Sequence, residues 1–148
     1  MIKEITGDLI KDATNYDVIV HGVNCNCRMQ NGIAKQVVIY FPEAQQIDLA
    51  TTPGDRSKLG TITYTKHTTP IVVNAYTQFD YGTDKMNCDY DAIRSCMKQI
   101  KQTFSGKKIG LPQIGAGLAG GDWNIILPII KQELADEDVT IVYWQADK

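Results

Sequence analysis

The chain is poor in the groups that metal and redox chemistry use. Of its 148 residues two are histidine, His21 and His67, and four are cysteine, Cys25, Cys27, Cys88 and Cys96. Only Cys25 and Cys27 lie close together. Zinc sites are usually built from two spaced pairs, or from cysteine joined by histidine, so no metal site is expected. Charge of one sign is also scarce: 15 Lys and Arg stand against 17 Asp and Glu, a net charge of −2. That argues against a strongly nucleic-acid-binding surface and leaves room for a small anionic ligand held by backbone amides. No stretch has the apolar length needed to span a bilayer, and residues 1–8 have no apolar signal-peptide core. The expectation is a cytoplasmic monomer with free thiols and with no nucleic-acid or membrane partner. The standard phosphate motifs are missing too: there is no Gly-x-Gly-x-x-Gly opening a βαβ unit and no Gly-x-x-x-x-Gly-Lys-Ser/Thr. Repeats, linkers and low-complexity segments are likewise lacking.

What is present is ordinary globular composition, 43% hydrophobic and 22% charged, enough for one domain spanning 1–148. Residues 2–6 read as a short strand whose exit, Gly7-Asp8, is either a capped turn or a ligand contact. The β-branched run 17–24 reads as a buried central strand. It places His21 near the strand's carboxyl end, as a core histidine bonded to backbone or as a proton carrier. Helices follow at 33–41 and 42–50, the second with Pro42 in its first turn. Gly32 stands at the start of the first helix, where amides are free to bind an anion. Strands are expected at 60–66 and 71–76. The 89–104 helix carries an apolar stripe of Tyr90, Ile93, Met97, Ile100 and Phe104. Its Arg94, Lys98 and Lys101 read as a solvated face. A strand at 109–111, a helix at 124–134 and a last strand at 139–144 complete the order. Pro128 should lie in or near the first turn of the last helix. The result is an α/β domain, a mixed sheet with helices on both faces. Ligands in such sheets bind at the carboxyl ends of the strands. The loops 24–32, 77–87 and 114–123 emerge there.

The most informative stretch is Leu111-Pro112-Gln113-Ile114-Gly115-Ala116-Gly117-Leu118-Ala119-Gly120-Gly121-Asp122-Trp123. A short strand empties into a glycine-dense loop that ends in one carboxylate before a helix. Glycine lets a ligand approach the backbone, and such loops present amides to phosphate. Asp122 either serves as a base or caps the helix that follows.

This stretch joins three others: Thr6-Gly7-Asp8-Leu9, the run from Val20-His21-Gly22-Val23-Asn24 through Cys27-Arg28-Met29 to Gly32-Ile33-Ala34, and Val73-Asn74-Ala75-Tyr76-Thr77-Gln78. In this order and spacing, over almost the whole chain, they resemble the macrodomain family of ADP-ribose-binding modules. The likeness is to its compact branch, which holds the terminal ADP-ribose glycohydrolase and the fungal ADP-ribose-1″-phosphate phosphatases. The resemblance implies a three-layer α/β/α fold with a mixed central sheet. It implies that Asp8 accepts from the adenine amino group beside the Leu9 amide. Gly32, Ile33 and Ala34 would face the diphosphate, and Gly115, Ala116, Gly117 and Leu118 would cradle the other phosphate and the distal ribose. Thr77, Gln78 and Ile114 join the ligand contacts on the same ground. Asp122 matches the glycohydrolase acid, with His21 sharing acid–base work and Asn24 orienting the ribose. One departure is clear: Gln78 stands where the glycohydrolase has its covalent lysine, and an amide cannot form that adduct. Lys85 lies farther along the same loop. The implied function is binding of ADP-ribose and hydrolysis of ADP-ribose-1″-phosphate to ADP-ribose and phosphate, without a cofactor. The alternatives are a reader that binds without turnover and an ADP-ribosyl-glutamate hydrolase working without the lysine.

Overall fold

The computed structural model describes residues 1–30, 32–81, 86–117 and 119–145. Ten main elements follow in chain order: β1 (Ile2–Gly7), β2 (Val18–Asn24), α1 (Ile33–Tyr40), α2 (Pro42–Leu49), β3 (Ile62–Tyr64), β4 (Ile71–Gln78), α3 (Tyr90–Phe104), β5 (Lys108–Leu111), α4 (Trp123–Glu133) and β6 (Asp138–Trp144). The strands form one sheet in the order β1-β6-β5-β2-β4-β3. All neighbours are parallel except β3, which runs antiparallel to β4 at the edge. The mixed α/β/α architecture expected from the sequence is therefore the observed one.

Period-two alternation in the buried strands sorts side chains between two helical layers. Val18 and Val20 of β2 point into the larger core, with Ile93, Met97 and Ile100 of α3 and Ile126 and Ile130 of α4. Ile19, between them, faces the other way and packs with Val37 of α1 and Ala44 of α2. A third, small cluster of Val23, Cys25, Met29, Ala34 and Tyr76 lies under the loop that leaves β2. Because five strands are parallel, the loops after β2, β4 and β5 leave the same edge of the sheet, which fixes where a ligand can bind.

Asp89 is the N-cap of α3, its side chain accepting from the Ala92 amide at 2.9 Å. Three expectations are corrected. Pro128 lies inside α4, beyond its first turn. It removes the bond to the Asn124 carbonyl, but both residues are on the exposed side, where water can hydrate that carbonyl. The 60–66 strand shortens to Ile62–Tyr64; beyond it the Thr65 amide donates to the Val72 carbonyl at 3.0 Å and the Thr65 hydroxyl accepts from the Val72 amide at 2.9 Å. Arg94 and Lys101 are more than a solvated face. Arg94 donates to Gln132 at 3.0 Å and pairs with Glu133, and Lys101 donates to the Ala135 carbonyl at 2.7 Å. These contacts tie α3 to the end of α4. Among the described residues no helix is long and apolar enough to cross a membrane.

Candidate functional site

Two cavities open along the carboxyl edge of the sheet. One, of about 270 Å³, is lined by Asn24, Arg28, Ala34, Gln78 and Tyr81 on one side and by Gln113, Ile114, Gly115 and Gly117 on the other, with Gly22 beneath. The second, of about 540 Å³, is lined by Asp8, Leu9, Ile10, Gln36, Val142 and Trp144. Gly32, Ile33 and Pro112 line both, so the cavities meet at the start of α1.

The first wall is the 24–32 loop, and side chains hold it. Asn24 is buried, and its Oδ1 accepts from the amides of Asn26 at 2.9 Å and Arg28 at 3.4 Å. Its Nδ2 donates to the Arg28 carbonyl at 2.9 Å. Asn26 Nδ2 and the Cys25 amide both donate to the Phe79 carbonyl at 3.0 Å, which ties this loop to the one after β4. Behind the loop lies a polar layer. The Cys27 thiol donates to the Asp48 carbonyl at 3.2 Å, Lys58 Nζ donates to Thr51 Oγ1 at 2.9 Å, and the Tyr76 hydroxyl donates to Asp48 Oδ1 at 2.8 Å. Burial pushes the Asp48 carboxyl above its usual range, and the Tyr76 hydroxyl upward as well. The loop ends at Gly32, the N-cap of α1, with φ 59° and ψ −136°, a region open essentially to glycine. Among the described residues no side chain caps this helix; the Lys35 amide donates to the Gly32 carbonyl at 3.2 Å, and the Ile33 and Ala34 amides lie at the junction of the two cavities.

The second wall is the 112–122 loop, and close backbone packing holds it. Gly115 has φ +77°, and a Cβ there would stand 3.0 Å from Cys88 Sγ and from Ile93 Cδ1. A Cβ on Gly121 would lie 2.6 Å from the Gly115 carbonyl oxygen. The Gly121 amide donates to that oxygen at 2.8 Å, and the Asn87 and Cys88 amides donate to the Ala119 carbonyl at 2.9 and 3.2 Å. Gly117 is different: nothing lies within 4 Å of where its Cβ would be. Cys88, buried beneath the loop, has its thiol pushed up to about 11 by burial, so it packs as an apolar group.

The residues anticipated from the sequence divide. Asp8, Leu9, Gly32, Ile33, Ala34, Gln78, Ile114, Gly115 and Gly117 all line the joined cavities, and so does Asn24. Asp8 also holds its own turn, its Oδ1 accepting from the Ile10 and Lys11 amides at 3.1 Å. Ala116 packs against the core, and Leu118 and Lys85 fall outside the described residues. Thr77 lies below the lining; its buried Oγ1 would be 2.7 Å from a Cβ on Gly22.

One catalytic expectation, His21, is corrected by position, and Asp122 is found in its capping role. His21 is the fourth residue of β2, on the α2 side of the sheet, only 1% exposed. Its Nε2 is 2.7 Å from Asn74 Oδ1, and Asn74 Nδ2 in turn donates to the Ala44 carbonyl of α2 at 3.0 Å. Burial lowers its pKa to about 4, against a smaller opposing effect of the Asn74 hydrogen bond, so it stays neutral at pH 7. It is a core residue and lines neither cavity. Asp122 is exposed, caps α4 by accepting from the Asn124 amide at 2.9 Å, and is likewise outside both linings.

Sequence reasoning gave no individual role to Arg28, Tyr81, Gln36 or Trp144, all cavity-lining. Trp144 is 74% exposed at the carboxyl end of the last strand. That combination was a readable signal, since an apolar run that ends in tryptophan on the ligand edge of a sheet offers a stacking surface.

Comparisons with known proteins bear on the fold and the family. The chain is 32% identical over 154 residues to an uncharacterized 17.5 kDa protein in the tk-vs intergenic region of Enterobacteria phage T4, across 98% of this chain and 97% of that one. A protein of unknown function from Bacteroides thetaiotaomicron has the same fold, with a TM-score of 0.77, 25% identity and 98% of each chain covered. Thermosipho africanus DarTG, solved in complex with ADP-ribose, matches with a TM-score of 0.74 and 18% identity, over 96% of this chain and 41% of that one. At that identity the likeness shows the fold. The profile of the Macro domain matches residues 20–130, three quarters of the chain, and the chain belongs to the Macro domain family.

Proposed function

We propose that the chain binds ADP-ribose and hydrolyses a derivative with a phosphate on its distal ribose, ADP-ribose-1″-phosphate, to ADP-ribose and phosphate. The observation that carries the binding half is the continuity of the two cavities through Gly32, Ile33 and Pro112. A base and ribose fit the larger one, beside Trp144 and Asp8. The diphosphate then crosses the uncapped start of α1, where free amides favour negative charge. The distal ribose enters the smaller cavity, between the two walls. A relative of the same fold that was solved with ADP-ribose supports this orientation of function.

Turnover rests on fewer groups. Asn24 spends its side chain on its own loop and His21 is in the core, which leaves Asp122 at the end of the glycine-rich loop. Its capping bond uses one of several lone pairs, so the carboxylate can still orient a water. The same geometry favours a second reading, a reader that binds without turnover, because no acidic residue is among the described residues lining the smaller cavity.

Calorimetry with ADP-ribose tests binding. Wild type should bind, and Trp144→Ala should bind about tenfold more weakly through lost stacking. Phosphate release from ADP-ribose-1″-phosphate tests turnover, and Asp122→Asn should abolish it. Tight binding with no phosphate release by wild type selects the reader, and no binding rejects both.

A further inference from the structure

Resting on the ADP-ribose reading, we infer that Arg28, held over the ring of Tyr81, is the residue that recognises a phosphate at the distal end of the ligand and so sets the preference for a phosphorylated derivative over ADP-ribose itself. The order of lining residues places this pair. Asp8 and Trp144 lie in the larger cavity, Gly32, Ile33 and Pro112 are shared, and Arg28, Gln78 and Tyr81 belong to the smaller cavity only. A ligand threaded from base to distal ribose therefore ends at Arg28 and Tyr81.

The guanidinium carbon of Arg28 is 4.6 Å from the centroid of Tyr81. At that distance the ring attracts the cation, and a guanidinium stacked on a ring still has a fork of N–H donors that suits an anion. Both residues are anchored through their backbones. Asn24 bonds the Arg28 amide and carbonyl, which fixes where that side chain leaves the loop. The Tyr81 amide donates to Asp80 Oδ1 at 2.9 Å, and Gln78 Nε2 donates to the Asp80 carbonyl at 2.8 Å. The neighbouring carboxylate, Asp80, is thus turned toward the amide of Tyr81 and toward Asn26 Nδ2, 3.5 Å away. A ribose hydroxyl has no need of a guanidinium. A phosphomonoester carries close to two negative charges and matches the fork through two charge-assisted bonds.

The test is calorimetry of the full chain with two ligands, ADP-ribose and a non-hydrolysable analogue with a methylenephosphonate in place of the 1″-phosphate. Wild type should prefer the phosphonate by about tenfold at low salt, the scale of one good hydrogen bond to a charged group. The preference should shrink as salt rises, because the pair is exposed. Arg28→Gln should lose the preference, its ratio of phosphonate to ADP-ribose affinity falling to about one, with thermal melting of the variant showing that it folds. Tyr81→Leu should lower the preference. Equal affinity of wild type for the two ligands overturns the inference, as does an Arg28→Gln variant weakened equally toward both. A preference untouched by Tyr81→Leu overturns the role given to the ring. Failure of wild type to bind ADP-ribose at all instead overturns the dinucleotide reading beneath it.

Discussion

The two walls of the cleft line one space and are built in opposite ways. The 24–32 wall is scaffolded by side chains: Asn24 and Asn26 bond its backbone, and a buried polar layer of Cys27, Asp48, Thr51, Lys58 and Tyr76 stands behind it. The 112–122 wall has almost no side chain to use. It is held by amide-to-carbonyl bonds and by glycines pressed against Cys88, Ile93 and Ile126. The difference teaches that glycine density in a binding loop has two causes. At Gly117 it leaves space open, whereas at Gly115 and Gly121 it lets the loop lie on the core. The walls should therefore fail differently: the glycine wall by overpacking, the asparagine wall by loss of hydrogen bonds.

Gly121→Ala should be the most damaging single methyl. The added carbon would stand 2.6 Å from a backbone carbonyl oxygen, which cannot rotate away as a side chain can, and 2.8 and 2.9 Å from Ile126 Cδ1 and Cys88 Sγ. Chemical denaturation should show a loss of about 3 kcal/mol, as overpacked cores do. Gly117→Ala, with open space, should change stability by less than about 0.5 kcal/mol. Equal effects at the two positions would erase the distinction between packing glycines and open ones.

His21, in the core behind the first wall, sharpens the comparison through pH. Its folded pKa, near 4, is below the ordinary 6.5, so the folded state resists the proton that the unfolded chain accepts. Its neutral form contributes fully to stability above pH 6.5, and that contribution falls as pH drops from about 6.5 toward 4, by roughly 2 to 3 kcal/mol. Stability measured against pH should show this decline, and His21→Gln should flatten it relative to wild type. An unchanged slope in the variant would mean that another group titrates there.

Asn24→Ala removes three hydrogen bonds to a loop backbone that is partly buried. A loss of about 2 kcal/mol is expected, with slower or weaker ADP-ribose binding in the same calorimetric assay. A smaller loss than for Gly117→Ala would mean that the first wall does not depend on side chains.

The smallest effect separates the two roles of Asp122. Asp122→Ala should cost about 1 kcal/mol of thermal stability through the lost α4 cap, while Asp122→Asn keeps the cap and most of the stability. If phosphate release is lost in both variants, the carboxylate acts in chemistry. If Asp122→Asn releases phosphate like wild type, Asp122 is a cap only.

Much of this was legible along the chain. The apolar, β-branched runs at 17–24, 71–76 and 139–144 announced buried strands, because a strand covered on both faces has no polar side to show. The stripe of α3 was readable from local periodicity, as were the three loops at one edge of the sheet. His21 carries a residue type that catalysis uses, but type does not say which way a side chain points. Period-two geometry turns His21 into the core under α2. Of the two roles open to Asp122, the cap is visible in its bond from the Asn124 amide. Pro128 broke a local rule because its helix face was wet, which is a fact of burial.

What the sequence by itself determined is the α/β order of elements, the edge at which a ligand enters and the glycine content of one wall, because each follows from local periodicity and backbone freedom. Only the tertiary structure decided that Arg28 and Tyr81 stack, that Trp144 joins Asp8 across the sheet and that two of the glycines serve packing. Those are contacts between segments far apart in the chain, and they depend on the directions side chains take once the strands are in register.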